Sequence, residues 1–440
     1  MAELEGLHGL TIVFCDNNGI PRSRTVPASR REDACERGVG ITTLFPVFLS
    51  NDMITFAHEP LSNASGDVRL LATPERVVPL AGQPGFAWTP GRQFLVDGER
   101  SPYCARGVLE RMVQRAAAAG LEVRAGYELE WFVGRAGEEL APAHSGPVYS
   151  PHAMLAVDEF AAQLLADLAT NGVPVGQLHA EYGLAQMEVS IGVSDPVSAA
   201  DLQMLTRQTI HAAARRHGLR ASFAPLVDLA AAGNGWHIHS SVSRDGRNLL
   251  AGGEGRSGMT AEGEAWVAGL LRELPALASV GAPSMPSLLR RRPGYFASAF
   301  AFWGVQNREA ALRLVPASRL VPDAAANVEL KASDASGNPY LALAAVIGAG
   351  LAGIDDGLTL PEPIQDEPGS WPDEERERRG IHRLPETAED AVAAVRLSAP
   401  VRDALGDDLV GAWTAVRRGD ADAARGMSPE DIVAAHRYRY

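Results

Sequence analysis

The stretch Gly126–Val133, GYELEWFV, places two glutamates two positions apart on a predicted strand. Successive side chains of a strand point to opposite faces of its sheet, so Glu128 and Glu130 leave the same face. The apolar residues that continue the strand, Trp131–Val133, predict that both carboxylates belong to a largely buried sheet. A single Glu-x-Glu pair more often lies on a solvated face of a sheet. A functional site is therefore indicated only if other stretches of the chain supply further acids or imidazoles.

Other stretches carry the same kind of chemistry. Each holds an acid or an imidazole on or next to a predicted strand: His179-Ala180-Glu181, Gln186-Met187-Glu188, Trp236-His237-Ile238-His239-Ser240-Ser241 and Asn327-Val328-Glu329-Leu330-Lys331. If the glutamates converge, two carboxylates about 4 Å apart repel by roughly 4 kcal/mol at an effective dielectric constant near 20. Several such pairs exceed the stability of an ordinary domain, so either some acids are protonated or cations neutralise them. Oxygen-rich sites with one imidazole suit Mg²⁺ or Mn²⁺.

Composition narrows the class of protein. A chain of 440 residues with 46% hydrophobic residues is typical of a globular protein of two or three domains. The net charge of −14 argues against nucleic acid as a partner, because binding it needs a basic face. The amino terminus has no basic start before an apolar run, and no apolar window approaches membrane-spanning length. We therefore expect a cytoplasmic enzyme without membrane contact.

The pattern along the chain changes near residue 101. Residues 1–100 are predicted to form a small sheet domain with one helix, and Met53–His58 is among its strand candidates. Residues 101–440 alternate longer helices and strands. The apolar stretch Tyr340–Leu351 predicts a buried helix, and Leu360–Arg379, rich in Pro, Asp and Glu, predicts a surface linker. Three short helices are expected to close the chain.

Taken in order, these motifs resemble type I glutamine synthetase. The resemblance runs from about residue 8 to the carboxyl terminus and rests on the following stretches: the Gly-x-Glu-x-Glu strand, Glu181 and Glu188 with Gln186, Asn234-Gly235-Trp236-His237-x-His239, Trp303-Gly304-x-x-Asn307-Arg308, and Glu329 followed by Asp334 and Asn338-Pro339-Tyr340-Leu341. It implies an α+β fold, with a small N-terminal β-grasp domain and a catalytic domain built on a curved antiparallel sheet with flanking helices. It also implies a homo-oligomer, commonly a dodecamer of two hexameric rings, with active sites between subunits.

The resemblance assigns two divalent cations, Mg²⁺ or Mn²⁺, to six ligands that are all present. One ion would be held by Glu130, Glu181 and Glu188, and the other by Glu128, His237 and Glu329. Two such ions could bridge and neutralise the oxygens of a phosphoryl group in transfer. The complete ligand set argues against a decayed, non-catalytic relative.

Other positions match the family's substrate-binding residues. His239 and Ser241 match positions that contact the phosphates of ATP. Arg308 and Arg313 match arginines beside the transferring phosphate, and Arg308 also matches a position near the nucleotide. Guanidinium groups suit the negative charge of that phosphate. Asn234 and Gly235 match the loop that holds the α-end of the amino-acid substrate. Arg290 matches an arginine that clamps the substrate carboxylate. A surface charge is the alternative for any one of these arginines, and Arg290 lies in a run of three.

The sequence departs from the family where ammonia binds. The attacking amine must be a free base, and an alkyl ammonium with a pKa near 10.4 costs about 4.6 kcal/mol to deprotonate at pH 7. Ammonia-using members employ an aspartate in the small domain and a glutamate on a flap. Here the first region, Leu44–Asp52, is largely apolar, and the flap PGYFAS at 293–298 has Phe296 at the glutamate's place. A shift of the alignment by a residue or two in this loop is the alternative.

Lys331, the only lysine of the chain, stands where the family usually has an arginine that reaches the reacting carboxylate. A changed substrate or simple Lys–Arg drift would explain it. We therefore predict an ATP-dependent ligase that joins glutamate to an organic amine through a γ-glutamyl phosphate, with ethanolamine or another small monoamine slightly preferred over a polyamine. The alternatives are an ammonia-using glutamine synthetase and a non-catalytic, ring-forming, nucleotide-binding homologue.

Overall fold

The computed structural model describes residues 6–137 and 139–440. Its strands have the following bounds: β1 Gly9–Cys15, β2 Pro21–Pro27, β3 Val39–Thr42, β4 Asp67–Ala72, β5 Val78–Pro79, β6 Phe86–Phe94, β7 Glu122–Arg135, β8 Val175–Ala180, β9 Gln186–Ser194, β10 Leu219–Ser222, β11 Trp236–Arg244, β12 Arg247–Asn248, β13 Trp303–Val305, β14 Leu312–Val315 and β15 Asn327–Leu330. Its helices have these bounds: α1 Arg31–Glu36, α2 Ala105–Ala118, α3 Pro151–Leu155, α4 Asp158–Thr170, α5 Pro196–Arg216, α6 Ala261–Arg272, α7 Leu274–Gly281, α8 Met285–Arg290, α9 Pro339–Asp355, α10 Asp373–Arg378, α11 Ala388–Leu397, α12 Ala399–Leu405, α13 Asp407–Ala423 and α14 Pro429–His436.

The first sheet has the strand order β2-β1-β6-β4-β3, and β5 pairs with β6. Strands β1 and β6 run parallel, and the other neighbours are antiparallel. Side chains of β1 alternate between two cores: Leu10, Ile12 and Phe14 pack in a cluster that includes Ala34 of α1, whereas Val13 and Cys15 join the main core. One face of this sheet therefore covers its own helix, and the other packs on the rest of the molecule.

The second sheet carries the candidate site. Its order is β13-β14-β15-β11-β7-β9-β8, with β10 paired to β7 and β12 to β11. All neighbours are antiparallel except β13 and β14, which run parallel. The α+β fold expected from the motifs is confirmed, with this one parallel pair as an addition. The domain boundary expected near residue 100 falls between β6 and α2 and stays a prediction.

Helix α9 lies behind the second sheet, and nearly all of its residues are buried, as the apolar stretch predicted. Asn338 caps the helix by accepting hydrogen bonds from the N–H groups of Tyr340 and Leu341. Its amide group also donates to the carbonyl oxygens of Cys15 and Asp16, at 3.2 and 3.0 Å. The start of α9 is thus bonded to the end of β1, which joins the two sheets.

Two details of the sequence-based prediction are wrong. Met53–His58 is not a strand: Ile54 forms an isolated bridge with Phe48, and Met53 and Phe56 are exposed. The segment follows Asp52, whose positive φ of 66° turns the chain, and it has no neighbouring strand along its length among the described residues. After residue 387 the structure has α11 to α14 rather than three short helices, and α13 alone has 17 residues. The predicted linker also contains α10.

No helix within the described residues is both long and apolar enough to cross a membrane.

Candidate active site

The site lies on one face of the second sheet because strand side chains alternate. On β7, Tyr127, Leu129 and Trp131 are 1% exposed or less and pack in the main core. Glu128 and Glu130 therefore point to the opposite face, as the sequence predicted. The same alternation on β11 buries Trp236 and Ile238 in the core and leaves the imidazoles on the acidic face.

The strand register places the functional side chains directly opposite one another. Cross-strand partners have Cβ atoms about 5 Å apart. The pairs are Glu128 with His237, Glu130 with Glu188, His179 with Glu188, His239 with Glu329, and Arg313 with Glu329. Residues distant in sequence thus converge through backbone pairing, and all of these except the buried Glu329 line a cavity of about 750 Å³.

One group of possible metal ligands consists of Glu128, His237 and Glu329. Nδ1 of His237 lies 3.1 Å from Oε2 of Glu128 and 3.3 Å from Oε1 of Glu329. Ligand atoms from all three residues lie within 4.8 Å of one another. The structure therefore brings together the three residues that the resemblance assigned to one cation.

A second group consists of His179, Glu181 and Glu188. Nε2 of His179 lies 3.9 Å from Glu181 and 3.7 Å from Glu188. The sequence analysis named the acids but gave His179 no role, although its position two residues before Glu181 was the available signal. Tyr149 was also missed. Its hydroxyl donates to Oε1 of Glu181 at 2.9 Å, and its ring stacks on His179 with centroids 6.0 Å apart.

Glu130 lies between the two groups. Its Oε1 is 3.6 Å from Nε2 of His237, and its Oε2 accepts hydrogen bonds from the amide of Gln186 at 2.9 Å and from the N–H of Gly235 at 2.7 Å. One carboxylate oxygen is thus fixed by two donors, and the other stays on the cavity side. This arrangement holds a potential ligand in a defined orientation.

The acidic cup, as we call the group formed by Glu128, Glu130, Glu181, Glu188 and Glu329, has electrostatics that fit a positively charged ligand. Burial, followed by the charges of Glu130, Glu128 and Glu181, raises the pKa of Glu188 well above its ordinary value. Burial acts in the same direction on Glu128, but hydrogen bonds from His237 and His239 outweigh it and lower the pKa of that carboxyl. Crowded carboxylates of this kind, with imidazoles among them, form a donor set for hard divalent cations. The residues present therefore fit divalent cations.

Three cationic side chains surround the acidic cup. Nη1 of Arg313 donates to Oε2 of Glu329 at 2.8 Å, and Nζ of Lys331 lies 3.4 Å from Oε1 of the same carboxylate. Burial would raise the pKa of Glu329, but Lys331, followed by the two imidazoles, lowers it to about 2. Lys331 is 4% exposed and reaches the cavity. Arg308 is exposed and also lines the cavity.

Arg290 reaches the cavity from α8 and is 4% exposed. Its guanidinium donates to the carbonyl oxygens of Asn234 and Ser333 at 3.3 and 3.0 Å. The Asn234 side chain is turned inward: its amide donates to the carbonyl of Ala224 at 2.8 Å, and its Oδ1 accepts from Gln186 at 2.9 Å. In this structure Asn234 and Gly235 therefore hold Arg290 and Glu130 in place, and their predicted contact with substrate stays a prediction.

The flap closes one side of the cavity. Tyr295, Phe296 and Ala297 line it, and Phe296 has a positive φ of 52°. The ring of Phe296 meets the ring of Tyr182 edge-on, with centroids 6.1 Å apart. Aromatic carbon thus borders the cavity at the position where the sequence comparison expected a carboxylate in ammonia-using enzymes.

A smaller cavity of about 240 Å³ adjoins the first and shares Glu128 and His239 with it. Ser241 and Arg124 line its polar part, and Val193 is among its apolar residues. Nδ1 of His239 lies 2.9 Å from Oδ1 of Asn327, which fixes the ring between the two cavities. Of the residues predicted to contact ATP, His239 therefore lies where the cavities meet, Ser241 lines the smaller cavity and Arg308 lines the larger one.

Proteins similar to this chain include glutamine synthetases and a gamma-glutamylpolyamine synthetase. Residues 102–433 match the family model described as "Glutamine synthetase, catalytic domain". The chain is 45% identical over 440 residues to the gamma-glutamylpolyamine synthetase GlnA3 of Streptomyces coelicolor, covering 99% of this chain and 94% of that protein. It is 30% identical to the glutamine synthetase of Thermococcus kodakarensis, covering 90% and 86%. A crystal structure described as a novel glutamine synthase homolog superimposes with a TM-score of 0.88 at 31% identity, covering 99% of each chain.

The match in sequence extends along almost the entire chain, and the match in structure includes both sheets. Most of the acids and imidazoles that lie around the cavity belong to the stretches on which the resemblance was drawn. The chain therefore belongs to the glutamine synthetase family of ATP-dependent ligases.

Proposed function

We propose that this protein joins the γ-carboxylate of glutamate to an organic amine, with ATP as the source of energy. The observation that carries the proposal is the cavity itself, where four glutamates and three histidines face a flap that presents phenylalanine, with the buried Glu329 beside Glu128 and His237. The relative named for polyamines supports an amine with a carbon chain as the acceptor. Ethanolamine, a monoamine and a polyamine are the candidates.

We assign one cation to Glu128, His237 and Glu329, and another to Glu130, Glu181 and Glu188, with His179 beside the second. Bound Mg²⁺ or Mn²⁺ would neutralise the carboxylates and the charge of the transferring phosphoryl group. The pKa of Glu188, raised by burial and by its acidic neighbours, supports the need for such charge in the cup.

In the first step, a γ-carboxylate oxygen of glutamate attacks the γ-phosphorus of ATP. The bond to the bridging β–γ oxygen breaks, ADP leaves, and γ-glutamyl phosphate remains. Arg313 and Arg308 stabilise the negative charge that spreads over the transferring oxygens, because guanidinium groups form paired hydrogen bonds to such oxygens. Lys331 presents a single point of positive charge to the reacting carboxylate.

In the second step, the nitrogen lone pair of the amine attacks the acyl carbon. The carbon–oxygen bond to phosphate breaks, inorganic phosphate leaves, and the nitrogen loses a proton. Arg290, fixed by two carbonyl oxygens, is suited to bind the α-carboxylate of glutamate, and Asn234 and Gly235 complete that end. Phe296 packs against the carbon chain of the amine, which ammonia lacks.

ATP would enter through the smaller cavity. His239 lies at its junction with the main cavity and Ser241 lines the smaller cavity, so both are suited to meet the phosphates. The adjoining apolar surface, which includes Val193, is suited to the flat face of a base. We also propose the ring-shaped assembly of the family, a dodecamer of two hexamers, and a cytoplasmic location where ATP is supplied.

A panel of amines tests the proposal. The full-length protein is incubated with glutamate, ATP and Mg²⁺, and with ethanolamine, a short monoamine, a polyamine or ammonium in turn. Phosphate release and the mass of the γ-glutamyl product are measured, and the assembly is sized by sedimentation. We expect turnover with at least one carbon-bearing amine at concentrations where ammonium gives little.

Two outcomes contradict the proposal. Turnover that is highest with ammonium at low millimolar concentration identifies an ordinary glutamine synthetase. Folded oligomers that bind Mg²⁺ but turn over ATP with no amine identify a non-catalytic homologue. Glu128→Ala and Glu130→Ala are each expected to abolish turnover, and activity retained in both would refute the cation assignment.

A further inference from the structure

The carboxylate of Glu309 holds the flap from behind. Its Oε1 accepts a hydrogen bond from the backbone N–H of Phe296 at 3.1 Å. Glu309 lies in the turn between β13 and β14 and is half-buried. The residue before it is Arg308, which lines the cavity. The flap and a cavity-lining arginine are therefore connected through one short turn.

The turn itself is fixed at both ends. Oδ1 of Asn307 accepts from the N–H of Glu309 at 2.9 Å, and the Asn307 amide donates to the carbonyl oxygens of Ile364 and Asp366 at 2.9 and 3.1 Å. The segment around residue 365 thus forms a support for the turn. Glu309 extends this support to the flap.

The flap needs such an anchor because its backbone is unfavourable for the residues it contains. Phe296 and Ser298 have positive φ values of 52° and 57°, a region that side chains with a Cβ rarely occupy. Such conformations persist only when their surroundings hold them. On the cavity side, the ring of Phe296 meets the ring of Tyr182 edge-on, whereas Glu309 bonds its backbone directly.

We propose that Glu309 is a positioning residue for amine selection. It fixes the flap so that Phe296 borders the cavity beside Tyr182 and keeps a constant position relative to Arg308. This inference rests on the proposed function and names the residue that sets its amine site. Glu309 does not line the cavity, so it acts through Phe296 and not by contact with substrate. Its effect falls on the amine and not on the nucleotide.

The test compares Glu309→Ala, which removes the acceptor, with Glu309→Gln, which keeps an oxygen at the same reach. Glu377→Ala, on the exposed face of α10, is the surface control. KM values for the amine and for ATP are measured separately, with the best monoamine of the panel as the substrate. Hydrogen exchange of the flap peptide is followed in each protein without substrates.

We expect Glu309→Ala to raise the KM for the amine about tenfold or more, the usual weight of a hydrogen bond to a charged group, with the KM for ATP unchanged. Flap amides should exchange faster in this variant and return towards the wild-type rate in Glu309→Gln. If the alanine variant does not fold, Glu309→Asp, one methylene shorter, replaces it.

An unchanged KM for the amine in Glu309→Ala overturns the inference, as does an equal rise in both KM values. Flap exchange that is the same in all variants overturns it as well. Failure of the proposed function is recognised separately, because the wild-type protein would then form no γ-glutamyl amide while the exchange measurement would still report whether Glu309 holds the flap.

Discussion

Gly235 shows how a residue without a side chain shapes the acidic cup. Its N–H donates to one oxygen of Glu130 at 2.7 Å. It directly precedes β11, the strand that carries the imidazoles of His237 and His239. A Cβ at this position would lie 2.8 Å from Nε2 of His237 and 3.2 Å from Nη1 of Arg290. There is no room for a methyl group unless the His237 ring or Arg290 moves.

Gly235→Ala is therefore expected to fold and to lose function. Displacement of His237 should weaken divalent-cation binding and lower kcat by about tenfold or more, the usual effect of disturbing the orientation of a metal ligand. Calorimetric titration with Mn²⁺ and the amine assay measure the two effects. Gly40→Ala is the control, because the nearest atom to its Cβ would be the flexible end of Arg69 at 3.6 Å. Equal behaviour of the two variants would contradict the expectation.

Glu188 gives a second prediction at the scale of one side chain. It is 5% exposed and faces Glu130 across the strand pair, so its negative charge is unfavourable until a cation arrives. Glu188→Gln should therefore leave the cation-free protein as stable as the wild type, or more stable. The same change should reduce the rise in Tm that Mg²⁺ produces, since a ligand has been lost. Thermal unfolding with and without Mg²⁺ decides, and a cation-free Tm well below the wild-type value would contradict the charge argument.

At the scale of elements, the second sheet depends on two helices in close contact. A Cβ at Gly269 of α6 would lie 2.2 Å from the carbonyl oxygen of Ala349 and 2.8 Å from Cα of Gly353, both on α9. Gly350 of α9 has no more room, because its Cβ would lie 2.3 Å from the ring of Trp266. The two helix backbones thus touch, and the start of α9 is bonded to the site strand β7 through the Tyr127 hydroxyl, which donates to the carbonyl oxygen of Pro339 at 3.3 Å.

Gly269→Ala should lower the free energy of unfolding by about 2 kcal/mol or more, since backbone atoms, unlike a flexible side chain, cannot move aside. Separation of α6 from α9 would also shift the support of the sheet. Denaturant unfolding measures the loss, and the amine assay at low temperature shows whether the folded fraction stays active. A variant as stable as the wild type would show that the helices can separate without cost.

The strands and loops also show which features of the fold can be predicted from sequence. The strands that carry Glu128, Glu188 and His237 were predicted because alternation of polar and apolar residues is a local property, whereas Glu329 was identified only by its motif. Backbone pairing then brings the acidic faces together. Tyr149 was missed as part of the site because its role depends on where a loop lies, which no local pattern reports. His179 was missed although it lies two residues before Glu181, on the same face of its strand. The false strand at Met53–His58 has strand-like composition, but a strand also needs a partner, and most of this segment has none among the described residues.

At the scale of the whole molecule, His436 of α14 connects the carboxyl-terminal helices to the first hundred residues of the chain. Its Nδ1 donates to the carbonyl oxygen of Ile432 at 2.7 Å, and its Nε2 accepts from Arg439 and faces the hydroxyl of Ser50. Ser50 belongs to the loop that follows β3, and it also donates to Asp420 of α13. Burial, followed by the charge of Arg439, lowers the pKa of His436 to about 4.

This shift predicts a loss of stability in acid. Because the folded pKa lies below the ordinary value near 6.5, the unfolded chain binds more protons between these two pH values. Stability is therefore complete above about pH 6.5 and falls as the pH drops towards 4, by up to about 3 kcal/mol from this residue. Urea unfolding at pH 7.5 and pH 5 measures the slope. His436→Gln should reduce it, and an unchanged slope in that variant would show that other groups are responsible.

The bond between Asn338 and the end of β1 bears on how the polypeptide can be divided. The amide of Asn338, which caps α9, donates to carbonyl oxygens more than 320 positions earlier, so a fragment beginning near residue 101 would lose both hydrogen bonds. Arg417 would lose its contacts with Asn17 and Asn18 in the same fragment. During synthesis the first sheet can form these contacts only after the last third of the polypeptide has been made, and we expect the fragment to be less stable than the full chain.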